Sequence, residues 1–164
     1  MDVLTTFHLL TLIVSAFLCR MPFLNFPMDD DFAIYTYRAR FAKKGFLWKD
    51  DLQIIGIPMW KMMLFDKVFS SSEKGDLRIR HLQSLFHAAA CLSIYWIILV
   101  ATQNQWAAFT GGLLYSFYGT SPDLTAGSFN FEQFYIPFIF AGLAFLLNGA
   151  VFYAGLCFGF AVIC

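Results

Sequence analysis

Two uninterrupted apolar runs most constrain what this chain can fold into. The first extends from Leu4 to Cys19 and the second from His81 to Thr102, and neither contains Asp, Glu, Lys or Arg. A helix of about 20 apolar residues can cross a bilayer, so both runs are candidate membrane spans. The chain is 59% hydrophobic, above the roughly 45–50% of soluble domains. We therefore predict an integral membrane protein.

Three shorter apolar segments follow, separated by polar segments at 102–105, 121–132 and 148–149. The pattern predicts an all-α, polytopic bundle that forms a single membrane domain over residues 1–164. We place its five spans at about 4–22, 82–101, 106–119, 133–147 and 150–164. The pair Gly111-Gly112 permits close helix contact. Apolar sequence continues to Cys164, so we expect the domain to be incomplete at its C-terminus.

The long connection at 23–80 is polar and amphipathic. All 11 Lys and Arg lie between Arg20 and Arg80, together with eight of the 11 acidic residues. Apolar residues at helical spacing predict two helices in the interface plane, at about 32–44 and 58–69, with a turn at 70–75. Because the basic residues have acidic neighbours, nucleic-acid binding is not expected. Membrane lipids are the expected surroundings.

Alternating spans place the 23–80 connection and the 121–132 segment on one side of the membrane. Asp29, Asp30 and Asp31 follow the first span, and Glu132 precedes the fourth. One interpretation is that a single Asp caps the next helix. The other is a carboxylate cluster at the membrane surface, able to act as a base or to hold a sugar or a divalent cation.

Other polar and sulfur-bearing residues inside the spans have simpler interpretations. His8 lies in the first span and is expected to face other helices. Cys19, Cys91, Cys157 and Cys164 form no CxxC pair, so they are interpreted as small buried apolar residues, and no metal site is predicted from them.

The order of these features resembles the N-terminal part of the GT-C type membrane glycosyltransferases. The closer likeness is to the family of protein O-mannosyltransferases and bacterial aminoarabinose transferases. The matching features, in order, are Arg20, Pro27, Asp29-Asp30-Asp31, Ala33-Ile-Tyr-Thr-Tyr-Arg-Ala-Arg40, Gly45, Pro58-Met-Trp60, Gly75-Asp-Leu-Arg-Ile-Arg80 and Asn130-Phe-Glu132. The chain departs from the family in three ways: the acidic pair is a triple, Pro-Pro is Pro58-Met59, and several further spans are missing.

The resemblance implies transfer of a sugar from a polyprenyl-phosphate donor to an acceptor on the outer face of a bacterial inner membrane. A carboxylate would deprotonate the acceptor hydroxyl, and cations would neutralise the phosphate. Asp30, Asp31 and Glu132 are the implied catalytic residues. The implied substrate-binding residues are Asp29, Tyr35, Lys61, Arg78 and Arg80. The basic connection conflicts with this orientation, since Lys and Arg usually mark the cytoplasmic side.

Each assignment has a simpler alternative. The arginines could anchor the membrane edge, and Glu132 could be an acid at a helix start. The whole chain could also be a transferase-derived, non-catalytic accessory subunit of a larger membrane complex. In that case its aromatic spans would pack against partner helices. The end of the chain in apolar sequence favours the subunit, and the retained acidic residues favour the enzyme.

Overall fold

The computed structural model describes residues 2–25, 73–120 and 132–163. Every regular element in these ranges is helical, which confirms the all-α prediction for this part of the chain. The elements are α1 (Val3–Arg20), a 3₁₀ helix (Met21–Asn25), α2 (Glu73–Thr102), α3 (Gln105–Tyr118), α4 (Glu132–Leu147) and α5 (Val151–Ile163). The two predicted interfacial helices, at about 32–44 and 58–69, lie outside the described residues.

Two helical stretches are long and apolar enough to cross a membrane, Val3–Leu24 and Arg80–Thr102. They match the first two predicted spans. The helices at the other three predicted spans, α3, α4 and α5, have 14, 16 and 13 residues. A typical span needs about 20 residues, so the crossing of these three helices stays a prediction. One boundary was wrong: the predicted turn at 70–75 includes the start of α2 at Glu73.

Side-chain caps and positive φ angles explain where several helices begin and end. Asp2 caps α1, with its Oδ1 accepting a hydrogen bond from the Thr5 amide at 2.7 Å. Asn104 caps α3 by accepting from the amides of Trp106 and Ala107. Gly149, with φ of 74°, follows α4, as expected for a residue that ends a helix in the left-handed region.

Helix α2 is the centre of the described bundle, because it packs against α1, α3 and α4. On one side, Leu12 of α1, Tyr95 of α2 and Ala108 of α3 form a buried apolar cluster. The predicted close approach at the glycine pair is confirmed at Gly112, where an added Cβ would lie 3.0 Å from Leu12 Cδ1 and 3.1 Å from the Cys91 carbonyl oxygen. The absence of a side chain at Gly112 therefore favours the close approach of α1, α2 and α3.

Aromatic contacts join the other side of α2 to α4, and α4 to α5. Phe86 meets Phe134 edge-to-face with ring centroids 4.8 Å apart, and Trp96 meets Phe145 at 4.5 Å. Phe138 of α4 stacks on Phe160 of α5 at 5.7 Å. Helix α5 therefore joins the bundle through α4.

Candidate functional site

The candidate site lies where α1 ends and α2 and α4 begin. Arg20 is the last residue of α1 and is only 4% exposed. Its Nη2 donates a hydrogen bond to Oε1 of Gln133, the second residue of α4, at 2.8 Å. A guanidinium this deeply buried among apolar helices is costly. The hydrogen bond to Gln133 offsets part of this cost, so the fold stabilises a buried cation at this position.

A second buried cation, Arg80 in α2, lies beside Arg20. Arg80 is 9% exposed and donates from Nη1 to the carbonyl oxygen of Phe23, in the 3₁₀ helix that follows α1. Both arginines line one cavity of about 10 Å³, roughly the space of a single water molecule. The residues that line this cavity are Arg20, Phe23, Leu24, Arg80, Gln83 and Ser84.

Gln133 contributes an unused donor to this cluster. Its side chain is 6% exposed, and its Nε2 has no hydrogen-bond partner among the described residues. Ser84 behaves differently, since its hydroxyl donates back to the Arg80 carbonyl at 2.9 Å. The cluster therefore contains two guanidinium groups and one amide nitrogen that has no partner among the described residues. Such a set of donors suits an anion or another strong acceptor.

A layer of polar contacts between helices lies next to the arginines. His87 of α2 is 3% exposed, and its Nε2 lies 3.2 Å from the Ser116 carbonyl oxygen. Since a carbonyl only accepts, this geometry assigns a proton to Nε2. The His87 ring also stacks on Tyr115 at 5.4 Å, and Ser15 of α1 donates to the Ser116 hydroxyl at 2.8 Å. These contacts join α1, α2 and α3 close to Arg20.

The predicted site residues divide into three groups. Arg80 lies in the arginine cluster, as described. Arg78 is part of α2 and Glu132 is the first residue of α4, but the structure describes only their backbone. Asp29, Asp30, Asp31, Tyr35 and Lys61 lie outside the described residues. Their assigned roles, and the divalent cation at the Asp cluster, stay predictions.

Sequence reasoning missed the part played by Arg20 and Gln133. Arg20 was used only as a marker in the resemblance, and Gln133 only as the start of a span. A signal was available for both: Arg20 ends an apolar run without other charges, and Gln133 follows Glu132 directly. His87 was also missed, because one histidine in an apolar run resembles a core residue.

The remaining predicted polar and sulfur residues have structural positions. His8 is fully buried against other helices, as predicted. Of the cysteines predicted to be buried, Cys91 is buried, Cys19 and Cys157 are half-buried, and all three are free thiols. Cys164 lies outside the described residues. Within residues 2–25, 73–120 and 132–163, no three His, Cys, Asp or Glu side chains come together in a way that would hold a metal ion.

Asp2, at the opposite end of α1, is the acidic side chain whose electrostatics are clearest. It is exposed, and hydrogen bonds from Thr5, and then from Gln105, lower its pKa from 3.8 to about 2. The charged form is favoured because these donors satisfy the carboxylate oxygens. This carboxylate is a helix cap at the far end of α1 from the arginine cluster.

Comparison with family models, with curated proteins and with solved structures found no match in any of the three.

Proposed function

We propose that this chain is a membrane glycosyltransferase, or the N-terminal part of one, that takes a sugar from a polyprenyl-phosphate donor. The observation that carries this proposal is the pair of buried arginines, Arg20 and Arg80, together with the amide nitrogen of Gln133, which has no partner among the described residues. A phosphate group carries the negative charge that attracts neighbouring guanidinium groups, and it could accept hydrogen bonds from Arg20 and from the Gln133 amide.

The position of the cluster also supports the proposal. Arg20 comes directly before the segment that carries Asp29, Asp30 and Asp31, and Gln133 comes directly after Glu132. The α4 helix begins at Glu132, so its positive amino end lies in the same region. The carboxylates proposed as bases thus belong to segments that start or end at the proposed phosphate site.

We further propose that α3, α4 and α5 cross the membrane together with the two longer helices, giving five spans in a bacterial inner membrane. Large apolar side chains are exposed along α1, α3 and α5. Outward-facing apolar surface of this extent suits contact with lipid tails. Lipid burial would also explain why so few charged residues occur after Arg80.

The first experiment measures binding of polyprenyl phosphate to the full-length protein in nanodiscs, with unphosphorylated polyprenol as the matched ligand. We expect the phosphate to bind at least tenfold more tightly. Arg20→Met should remove most of that difference, because a hydrogen bond to a charged group contributes about 1.5–3 kcal/mol. Gln103→Ala, at the opposite end of the bundle, is the control variant. Equal binding of both lipids by the wild type would refute the phosphate site.

The second experiment separates catalysis from binding. In membranes that supply a hydroxyl acceptor, transfer of a labelled sugar to that acceptor and release of polyprenyl phosphate are followed together for the wild type, Asp30→Asn and Asp31→Asn. We expect at least one of the two variants to lose turnover while it still binds the lipid. If both variants release the phosphate at the wild-type rate, the assigned base is wrong, whatever the binding experiment shows.

The second candidate function is a non-catalytic subunit of a larger membrane complex. The outer side of α5 favours it, because a Cβ added at Gly155 or Gly159 would meet nothing within 4 Å. Two glycines four positions apart allow another helix to approach closely. Under this proposal the native protein co-purifies with partner chains at fixed stoichiometry, and Gly155→Leu releases them. A native mass equal to that of the single chain would exclude the subunit.

A further inference from the structure

A second group of buried polar atoms lies far from the arginines, in the second turn of α1. His8 is fully buried, and neither of its ring nitrogens has a hydrogen-bond partner among the described residues. Its ring stacks on Phe109 with centroids 4.4 Å apart and meets Trp106 edge-to-face at 4.9 Å. Two aromatic side chains of α3 therefore pack against the His8 imidazole.

Tyr95 of α2 completes this group. It is 2% exposed, its hydroxyl has no partner within the described part of the chain, and its ring centroid lies 6.2 Å from that of His8. A buried donor or acceptor without a partner costs free energy in any apolar environment. Three such atoms, two from α1 and one from α2, belong to rings whose centroids lie 6.2 Å apart. Their proximity indicates a common partner.

We propose that His8 and Tyr95 hold one water molecule between them, as a structural part of the junction of α1, α2 and α3. A neutral imidazole offers one donor and one acceptor, and a phenol offers both. Water is the smallest molecule that can complement such a set, and buried waters typically make about three hydrogen bonds.

A metal ion fits this group less well. His8 and Tyr95 supply two ligand side chains, and the described residues contain no group of three or more metal-ligating His, Cys, Asp or Glu. The water would instead form a hydrogen-bonded bridge between two apolar helices, and this bridge would fix the rotation of α1 relative to α2. This role is independent of the proposed glycosyl transfer.

The test uses nuclear magnetic resonance on the full chain in nanodiscs, with ¹⁵N-labelled histidine. The chain has three histidines, so His8→Phe assigns the His8 signal and the exposed His81 gives the solvent-contact reference. We expect a contact between a slowly exchanging water and the His8 ring proton in the wild type. We also expect the same water to contact the Tyr95 hydroxyl proton, which needs no variant.

Tyr95→Phe then removes one side of the site without changing its volume much. We expect loss of the His8-to-water contact and a shift of the His8 ring ¹⁵N resonances. Three results would overturn the proposal: no water contact in the wild type, a direct Tyr95–His8 hydrogen bond without water, or a water contact that survives Tyr95→Phe unchanged.

Discussion

The polar side chains at the two ends of α1 differ in their exposure and in the partners to which they bond. At the start, Asp2 is exposed and accepts from the nearby Thr5 amide and from Gln105 of α3. At the end, Arg20 is 4% exposed and donates to Gln133 of α4, although α1 packs mainly against α2 and α3. An exposed cap defines where a helix begins. A buried bond between distant segments defines how the bundle closes, and there we place the functional site.

Removal of the buried bond should have the largest effect. In Arg20→Met, Gln133 loses the partner of its Oε1, while its Nε2 already has no partner among the described residues. We expect a loss of about 1.5–3 kcal/mol in the free energy of unfolding, measured by denaturant titration in detergent micelles. The double variant Arg20→Met/Gln133→Leu should recover part of that loss, since no buried polar partner is left behind. If Arg20→Met alone is as stable as the wild type, the contrast between the two ends is wrong.

The second largest loss of stability is expected from disturbing the close helix packing between the two ends of α1. Gly112→Leu would force side-chain atoms against Leu12 and the Cys91 backbone, and overpacking costs about 1–3 kcal/mol. Gly159→Leu is the matched control, because a Cβ at Gly159 meets nothing within 4 Å. We expect the midpoint temperature of thermal unfolding to fall for Gly112→Leu and to stay near the wild-type value for Gly159→Leu. Equal effects would mean that α1, α2 and α3 are not in close contact.

The end of the bundle that carries the exposed helix caps should tolerate substitution better than the end that carries Arg20. Asn104 accepts from the amides of Trp106 and Ala107 at 3.0 and 3.1 Å, and loss of such a cap costs about 1 kcal/mol. Asn104→Ala should therefore lower stability less than Arg20→Met does, in the same denaturant titration. Asn104→Asp, which keeps the accepting oxygen, should stay close to the wild type. A larger loss for Asn104→Ala than for Arg20→Met would reverse the comparison.

The smallest effect is the acid dependence of Asp2. Its pKa is lowered to about 2 by hydrogen bonds from Thr5 and Gln105, so the ionised carboxylate stabilises the folded state. That contribution is fully present above about pH 3.8 and is lost as the pH falls toward about 2. Asp2→Asn should remove this pH dependence. A carboxyl ¹³C titration that places the Asp2 midpoint at 3.8 or above would show that the cap is not formed.

Much of the fold could be predicted from the sequence. The apolar runs and their polar separators placed the five described α-helices to within a few residues, apart from the earlier start of α2 at Glu73. Hydrophobic length and helix-ending residues such as Gly149 are local signals, so they can be read without knowledge of the packing. The close approach at Gly112 was predicted for the same reason.

The candidate site was predicted only in part. Arg80 was identified, but its neighbour Arg20 and the amide of Gln133 were not given roles. Arg20 and Gln133 are separated by 113 positions, and nothing in either local segment shows that the two side chains meet. The sequence also could not predict that polar atoms of His8 and Tyr95 lack hydrogen-bond partners among the described residues. Whether a buried polar atom finds a partner depends on all the helices around it.

The sequence by itself determined that this chain forms apolar helices, where those helices begin and end, and that its charged residues gather between the first two long helices. These properties follow from hydrophobicity and backbone preferences along the chain. Only the tertiary structure decided which polar side chains lie together inside the bundle. The reason is physical: burial and hydrogen bonding between α1, α2, α3 and α4 depend on the rotation of each helix, which no single segment specifies.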